Sequence, residues 1–180
     1  KYLRVEGAWP SGTEPQVLCT FHWGAGMWSL RHIKNTGLNA HILVASLNSA
    51  NFRGRPVLHW YARWRTARLS TELGNTTIDA SSSLRAVVNA MRKREQIIAV
   101  VDVPADAVAA SSDVKMLGSR IRVPRGLLRV AAERKVAVTV FTVGIDLENG
   151  TRQLTIHTLP MEENIEILMA QVFGKMDAAL

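Results

Sequence analysis

The chain has a single cysteine in 180 residues, Cys19, so an internal disulfide is excluded. It contains no run of about 18 or more apolar residues, which leaves no stretch able to cross a bilayer as a helix. A secretory leader pattern is absent as well. There is no glycine-rich phosphate loop and no Cys/His cluster with metal-ligand spacing, so no metal is expected. Internal repeats, low-complexity tracts and linker-like stretches are lacking, and one domain over residues 1–180 is the expectation. The first residue is Lys1 rather than Met, and we expect a fragment of a longer protein.

What is present is a chain with 47% hydrophobic residues, enough to bury a core, and a net charge of +7. Cys19 sits in the apolar run QVLCTF and reads as a small buried hydrophobe. The basic residues gather at 53–68, 85–94 and 115–134. Such surfaces suit anionic partners: lipid headgroups, an acidic carrier protein or nucleic acid. No nucleic-acid-binding motif accompanies them, so no nucleic-acid partner is expected.

Apolar, β-branched runs alternate with helical periodicity along the chain. Residues 16–21, 40–46, 96–101 and 136–143 read as strands. Residues 24–34, 57–69, 84–94, 126–134 and 162–176 read as helices. Pro56 suits a first helical turn, and Asp79 or a neighbouring serine is expected to cap the third helix. A loop rich in Ala, Ser and Asp follows Asp102. Asn149-Gly150 marks a hairpin whose return strand is 152–158. Strands alternating with helices predict an α/β layer fold, a mixed and mostly parallel central sheet flanked by helices.

The segment Phe21-His-Trp-Gly-Ala-Gly-Met-Trp28 carries the chemistry. His22 leaves a buried strand and enters a glycine-containing turn before a helix, where α/β folds place reactive groups. Gly24 and Gly26 let a substrate approach the backbone. The helix that follows later, His59-Trp-Tyr-Ala-Arg-Trp-Arg-Thr-Ala-Arg68, places Trp60 and Trp64 on one face and Tyr61, Arg65 and Arg68 on a neighbouring one. The tryptophans read either as core or as membrane-interface side chains. His32 and His41 are separated by a turn, with no acidic partner in view.

The block around His22 resembles the first motif of the bacterial lipid A biosynthesis (lauroyl/myristoyl) acyltransferases, in the glycerolipid acyltransferase superfamily. That motif is His, four residues, then Asp or Glu. Further blocks are similar in order and spacing: the amphipathic helix, strand and aspartate within 81–102, Met116-Leu-Gly118, Val123-Pro-Arg-Gly126, the strand 136–145, the Asn149-Gly150 turn and the closing strand 153–160. The likeness runs from about residue 15 to 175. The family's N-terminal membrane anchor and C-terminal tail have no counterpart here.

The resemblance implies a glycerolipid-acyltransferase-like fold and transfer of a fatty acyl group to a lipid or glycolipid hydroxyl or amine. The donor would be an acyl-carrier-protein or acyl-CoA thioester, with no cofactor, at the cytoplasmic face of the bacterial inner membrane. His22 would be the general base. The carboxylate position holds Met27, which cannot orient an imidazole, so a catalytically degenerate acyl-binding relative is the alternative. Asp102 is the best substitute carboxylate, because it ends a central strand on the sheet edge where His22 would lie if the strands are parallel; Asp106 and Glu14 are weaker choices. The family's active-site arginine corresponds to Arg65 or Arg68. A second His-x4-acid spacing, His157 to Glu162, falls in the wrong block and reads as an edge-strand histidine and a helix-start glutamate.

Overall fold

The computed structural model describes residues 3–22, 26–80, 84–103 and 110–180. The most apolar runs form the centre of a sheet. Strands β2 (Gln16–Thr20) and β5 (Gln96–Val100) lie side by side and parallel, with Thr20 opposite Val100. Their side chains are buried on both faces, the pattern of an interior parallel strand. Strand β8 (Ala137–Ile145) flanks β2, and β3 (Ala40–Val44) flanks β5, both in parallel. The short β4 (Thr77–Asp79) closes one edge against β3. At the other edge β9 (Arg152–Thr158) returns antiparallel to β8, and β1 (Leu3–Glu6) pairs with β9. Among the described residues the order is β1-β9-β8-β2-β5-β3-β4. The fold is therefore mixed α/β, with a mostly parallel central sheet flanked by helices.

Alternation along the strands divides the interior into two layers. Val17, Cys19 and Phe21 of β2 and its end, with Ile97, Ala99 and Val101, meet α3 (Arg85–Arg92), α4 (Gly126–Glu133) and α5 (Ile165–Asp177). Leu18, Ile98, Phe141 and Val143 point the other way, toward α1 (Met27–Asn35) and the C-terminal half of α2 (Pro56–Leu73). The two helices on that side are tied by Arg31, whose guanidinium donates to Glu72, with Nη2 at 3.0 Å from Oε1. That bond holds the Glu72 carboxyl below its ordinary range.

Several sequence expectations need correction. The stretch expected as loop after Asp102 contains a hairpin, β6 (Ser111–Met116) and β7 (Ser119–Pro124). Its two turn residues, Leu117 and Gly118, have φ of 51° and 73°, so this is the primed turn that matches strand twist. At the start of α3 the residue in the cap position is Leu84, which offers no side-chain cap; Asp79 ends β4 opposite Val44, and the neighbouring serines 81–83 lie outside the described residues. The last helix starts after Asn164, whose side chain accepts from the Glu166 and Ile167 N–H groups. Glu162 precedes it and accepts from the Asn164 N–H at 2.8 Å. Trp60 and Trp64 are not core side chains: they are 66% and 48% exposed, and α2 buries Leu69 and Leu73 instead.

Two connections decide where a ligand can sit. After β2 the chain passes to α1 on one face of the sheet; the elements that follow β5 pack on the other. Adjacent parallel strands whose connections leave to opposite faces open a crevice beyond their carboxyl ends. His22 and Asp102 are the residues that enter it.

Candidate functional site

The pairing of β2 with β5 sets the geometry. The ladder runs in register to Thr20 and Val100, and the Val101 N–H extends it by donating to the Thr20 carbonyl at 3.0 Å. Two residues past the register pair, His22 and Asp102 therefore leave the sheet at the same level. The Asp102 carboxylate accepts the His22 backbone N–H through both oxygens, at 3.0 and 2.9 Å. Its Oδ1 also lies 3.0 Å from His22 Nδ1. An ionised carboxylate only accepts, so Nδ1 carries the hydrogen, and in the neutral ring the lone pair is then on Nε2. The ring is half exposed at 51%, and the carboxylate is more sheltered at 20%. The histidine is thus held by its backbone and by its ring while one nitrogen faces outward chemistry.

A cavity of about 150 Å³ opens beside this pair. Thr20, Ile98, Val100, Ile42 and Phe141 form its floor and walls, on the α1–α2 side of the sheet. His22, Gly26 and Arg65 complete it. Gly26 precedes α1, and among the described residues no side chain caps that helix. A Cβ built on Gly26 would meet nothing nearer than Thr20 Oγ1 at 4.0 Å, so the missing side chain is room in the cavity rather than tight packing. The first turn, in which the Ser29 N–H already donates to the Gly26 carbonyl at 3.1 Å, turns the positive end of the helix dipole toward the cavity.

Of the arginines expected at the site, Arg65 lines the cavity and Arg68 does not. The Arg68 guanidinium lies 5.7 Å from the centre of the Trp64 ring. Gly24 and Asp106 lie outside the described residues, as does the side chain of Met27. Glu14 is at the opposite end of β2, 3.9 Å from Arg94. His157 is exposed on β9, opposite Val140 and away from the cavity.

Two further histidines are held by contacts away from the cavity. Trp9 Nε1 donates to His32 Nδ1 at 2.7 Å. His41, expected without an acidic partner, has Nε2 3.1 Å from Glu95 Oε2, at the amino ends of β3 and β5. The sequence hid this pair because 54 residues separate its members. Cys19 is fully buried, and desolvation pushes its thiol up to about 12. Among the described residues no three His, Cys, Asp or Glu side chains converge to hold a metal ion.

The residues that sequence reasoning missed are cavity walls, the apolar Ile42, Val100 and Phe141 and the hydroxyl-bearing Thr20. Nothing distinguishes them from core until the switch point leaves one end of their layer uncovered. Scanned against known protein families the chain matches none, and no curated protein matches it.

Proposed function

We propose that the chain is an acyltransferase of the glycerolipid-acyltransferase type, acting on a thioester of acyl carrier protein or coenzyme A. The observation that carries the reading is the His22–Asp102 contact at the mouth of an apolar cavity. In the resembling family the carboxylate follows the histidine by five positions. Here Met27 occupies that position, and the neighbouring strand supplies the carboxylate instead.

The chemistry follows from the tautomer. Asp102 holds Nδ1–H, so Nε2 takes the proton of the acceptor hydroxyl or amine as its oxygen or nitrogen attacks the thioester carbonyl. Asp102 stabilises the imidazolium that forms. The tetrahedral oxyanion is served by Arg65 and by the positive end of α1. Collapse of the intermediate breaks the C–S bond, and the departing thiolate takes the proton back from the imidazolium. No external oxidant, metal or prosthetic group enters this balance.

A volume of about 150 Å³ equals roughly five water-sized groups. It accommodates the reacting end of an acyl chain. The acceptor in this reading is a lipid or glycolipid, and the acting place is the cytoplasmic face of the bacterial inner membrane. Met27 favours a second reading, a relative that binds acyl groups without turning them over.

Acyl transfer and thioester hydrolysis measured with acyl-carrier-protein and acyl-CoA donors separate the two. Activity that disappears in His22→Ala supports the enzyme. Equal rates in wild type and His22→Ala, with acyl donor still bound by folded protein, leave the binding relative.

A further inference from the structure

Helix α2 presents its regular apolar stripe to solvent. Val57, Trp60, Tyr61 and Trp64 recur at i, i+3, i+4 and i+7 and so share one side. They are 77%, 66%, 48% and 48% exposed. Leu58, beside them, is also exposed. The helix is anchored from its other end, through Leu69 and Leu73. An apolar stripe of this size pointing away from the core marks an interaction surface.

Charge narrows the partner. Between Glu14 and Glu72 the sequence has seven Lys and Arg and no Asp or Glu. Five of the seven, Arg53, Arg55, Arg63, Arg65 and Arg68, lie on α2 or in the turn before it. The acid at the far end of α2, Glu72, is engaged by Arg31. The surface thus fits an anionic partner, and two copies of it repel each other.

We infer that the N-terminal half of α2, with the turn that precedes it, docks on an anionic lipid bilayer. The helix lies in the plane of the interface, with Val57, Leu58, Trp60, Tyr61 and Trp64 at the headgroup–acyl boundary and Arg53, Arg55, Arg63 and Arg68 at phosphates. Interleaved aromatics and arginines also suit single-stranded RNA, but two features favour lipid. Val57 and Leu58 offer a base neither a stacking face nor a hydrogen bond, whereas hydrocarbon takes both. Tyr61 and Trp64 already face each other with centroids 6.0 Å apart, and Arg68 lies over Trp64, so their ring faces are in use. Arg65 connects this surface to the cavity mouth. The docking surface stands independently of the chemistry at His22.

Vesicle flotation of the full chain tests it, with phosphatidylcholine vesicles against vesicles of phosphatidylcholine and phosphatidylglycerol in equal parts. The expected result is binding to the second kind only, weakened by salt, with tryptophan emission quenched by lipids brominated in their acyl chains. Replacing Arg53 and Arg55 by Gln is expected to weaken binding about fivefold for each arginine. Trp60→Ala and Val57→Asp are expected to weaken it about tenfold each. Both positions are exposed, so the thermal unfolding of these variants stays at the wild-type value. Three results overturn the inference: no preference for the anionic vesicles, undiminished binding by the folded Trp60→Ala and Val57→Asp variants, or displacement from vesicles by an oligouridine that binds more tightly.

Discussion

Replacing Asp102 by Asn changes one atom and two of the three contacts that hold His22. The carboxylate now accepts the backbone N–H through both oxygens and faces Nδ1 through Oδ1. An amide keeps one acceptor oxygen. With that oxygen in the Oδ2 place, it keeps one bond to the backbone N–H, the amide NH₂ faces the ring, and the histidine must present an unprotonated Nδ1. The hydrogen then moves to Nε2, and the base for the acceptor is lost. The serine protease precedent sets the magnitude of a wrong tautomer at about four orders of magnitude in kcat. The fold loses less: a charge-assisted hydrogen bond at a partly exposed site contributes about 1–2 kcal/mol. Single-turnover acyl transfer measures the first effect and chemical denaturation the second. Long-range proton–nitrogen correlation spectra of the histidine rings read the tautomer directly, whether or not a donor has been identified, with His22→Ala assigning the signals among five histidines. A folded Asp102→Asn variant that keeps the Nδ1–H tautomer, or turns over within a few-fold of wild type while His22→Ala is inactive, refutes the reasoning.

Three further outcomes are expected. Gly26→Val projects two methyl groups into the cavity beside His22 from a Cβ whose nearest described neighbour is Thr20 Oγ1 at 4.0 Å; acyl transfer should fall at least tenfold with the unfolding midpoint nearly unchanged, and equal activity would mean that the substrate avoids this cavity. Cys19 ionises near 9.0 when unfolded and is pushed up to about 12 in the fold, so its contribution is intact below pH 9 and is lost as pH rises toward 12, by about 1.4 kcal/mol per pH unit; urea titrations of wild type and Cys19→Ala across this range should differ by that slope, and parallel curves would contradict it. Phe173→Ala removes a ring 1% exposed from the layer under α5 and should cost about 3–5 kcal/mol in urea unfolding, whereas a loss below 1 kcal/mol would place that layer wrongly.

The sequence was most legible where a strand is buried on both faces. β2, β5 and β8 stand out as apolar runs, and their parallel pairing sets His22 beside Asp102. Strands that lean on one neighbour were invisible. All four side chains of β1 are exposed, and β4 has three half-buried residues, so neither shows a period to read. The β6–β7 hairpin was masked by its turn, where Leu117 takes the left-handed position usually filled by Asn or Gly. The stripe on α2 shows another limit. Spacing reveals that Val57, Trp60, Tyr61 and Trp64 share a face, but the same spacing serves core and surface alike. What turns it outward is that Leu69 and Leu73, about one and a half and two and a half turns beyond Trp64, are buried on the opposite face.

The contact between His22 and Asp102 bridges 80 residues of chain. The two residues come from different strands, so this pair exists only when the β2–β5 ladder is complete. Cutting the chain between Ala80 and Leu84 would put the imidazole on one piece and its carboxylate on the other. If the proposed acyl transfer holds, each piece alone is expected to be inert, with activity returning on mixing only as the two central strands re-pair. The site is in that sense a built-in reporter of its own assembly, and the chain is a candidate for use as a split sensor.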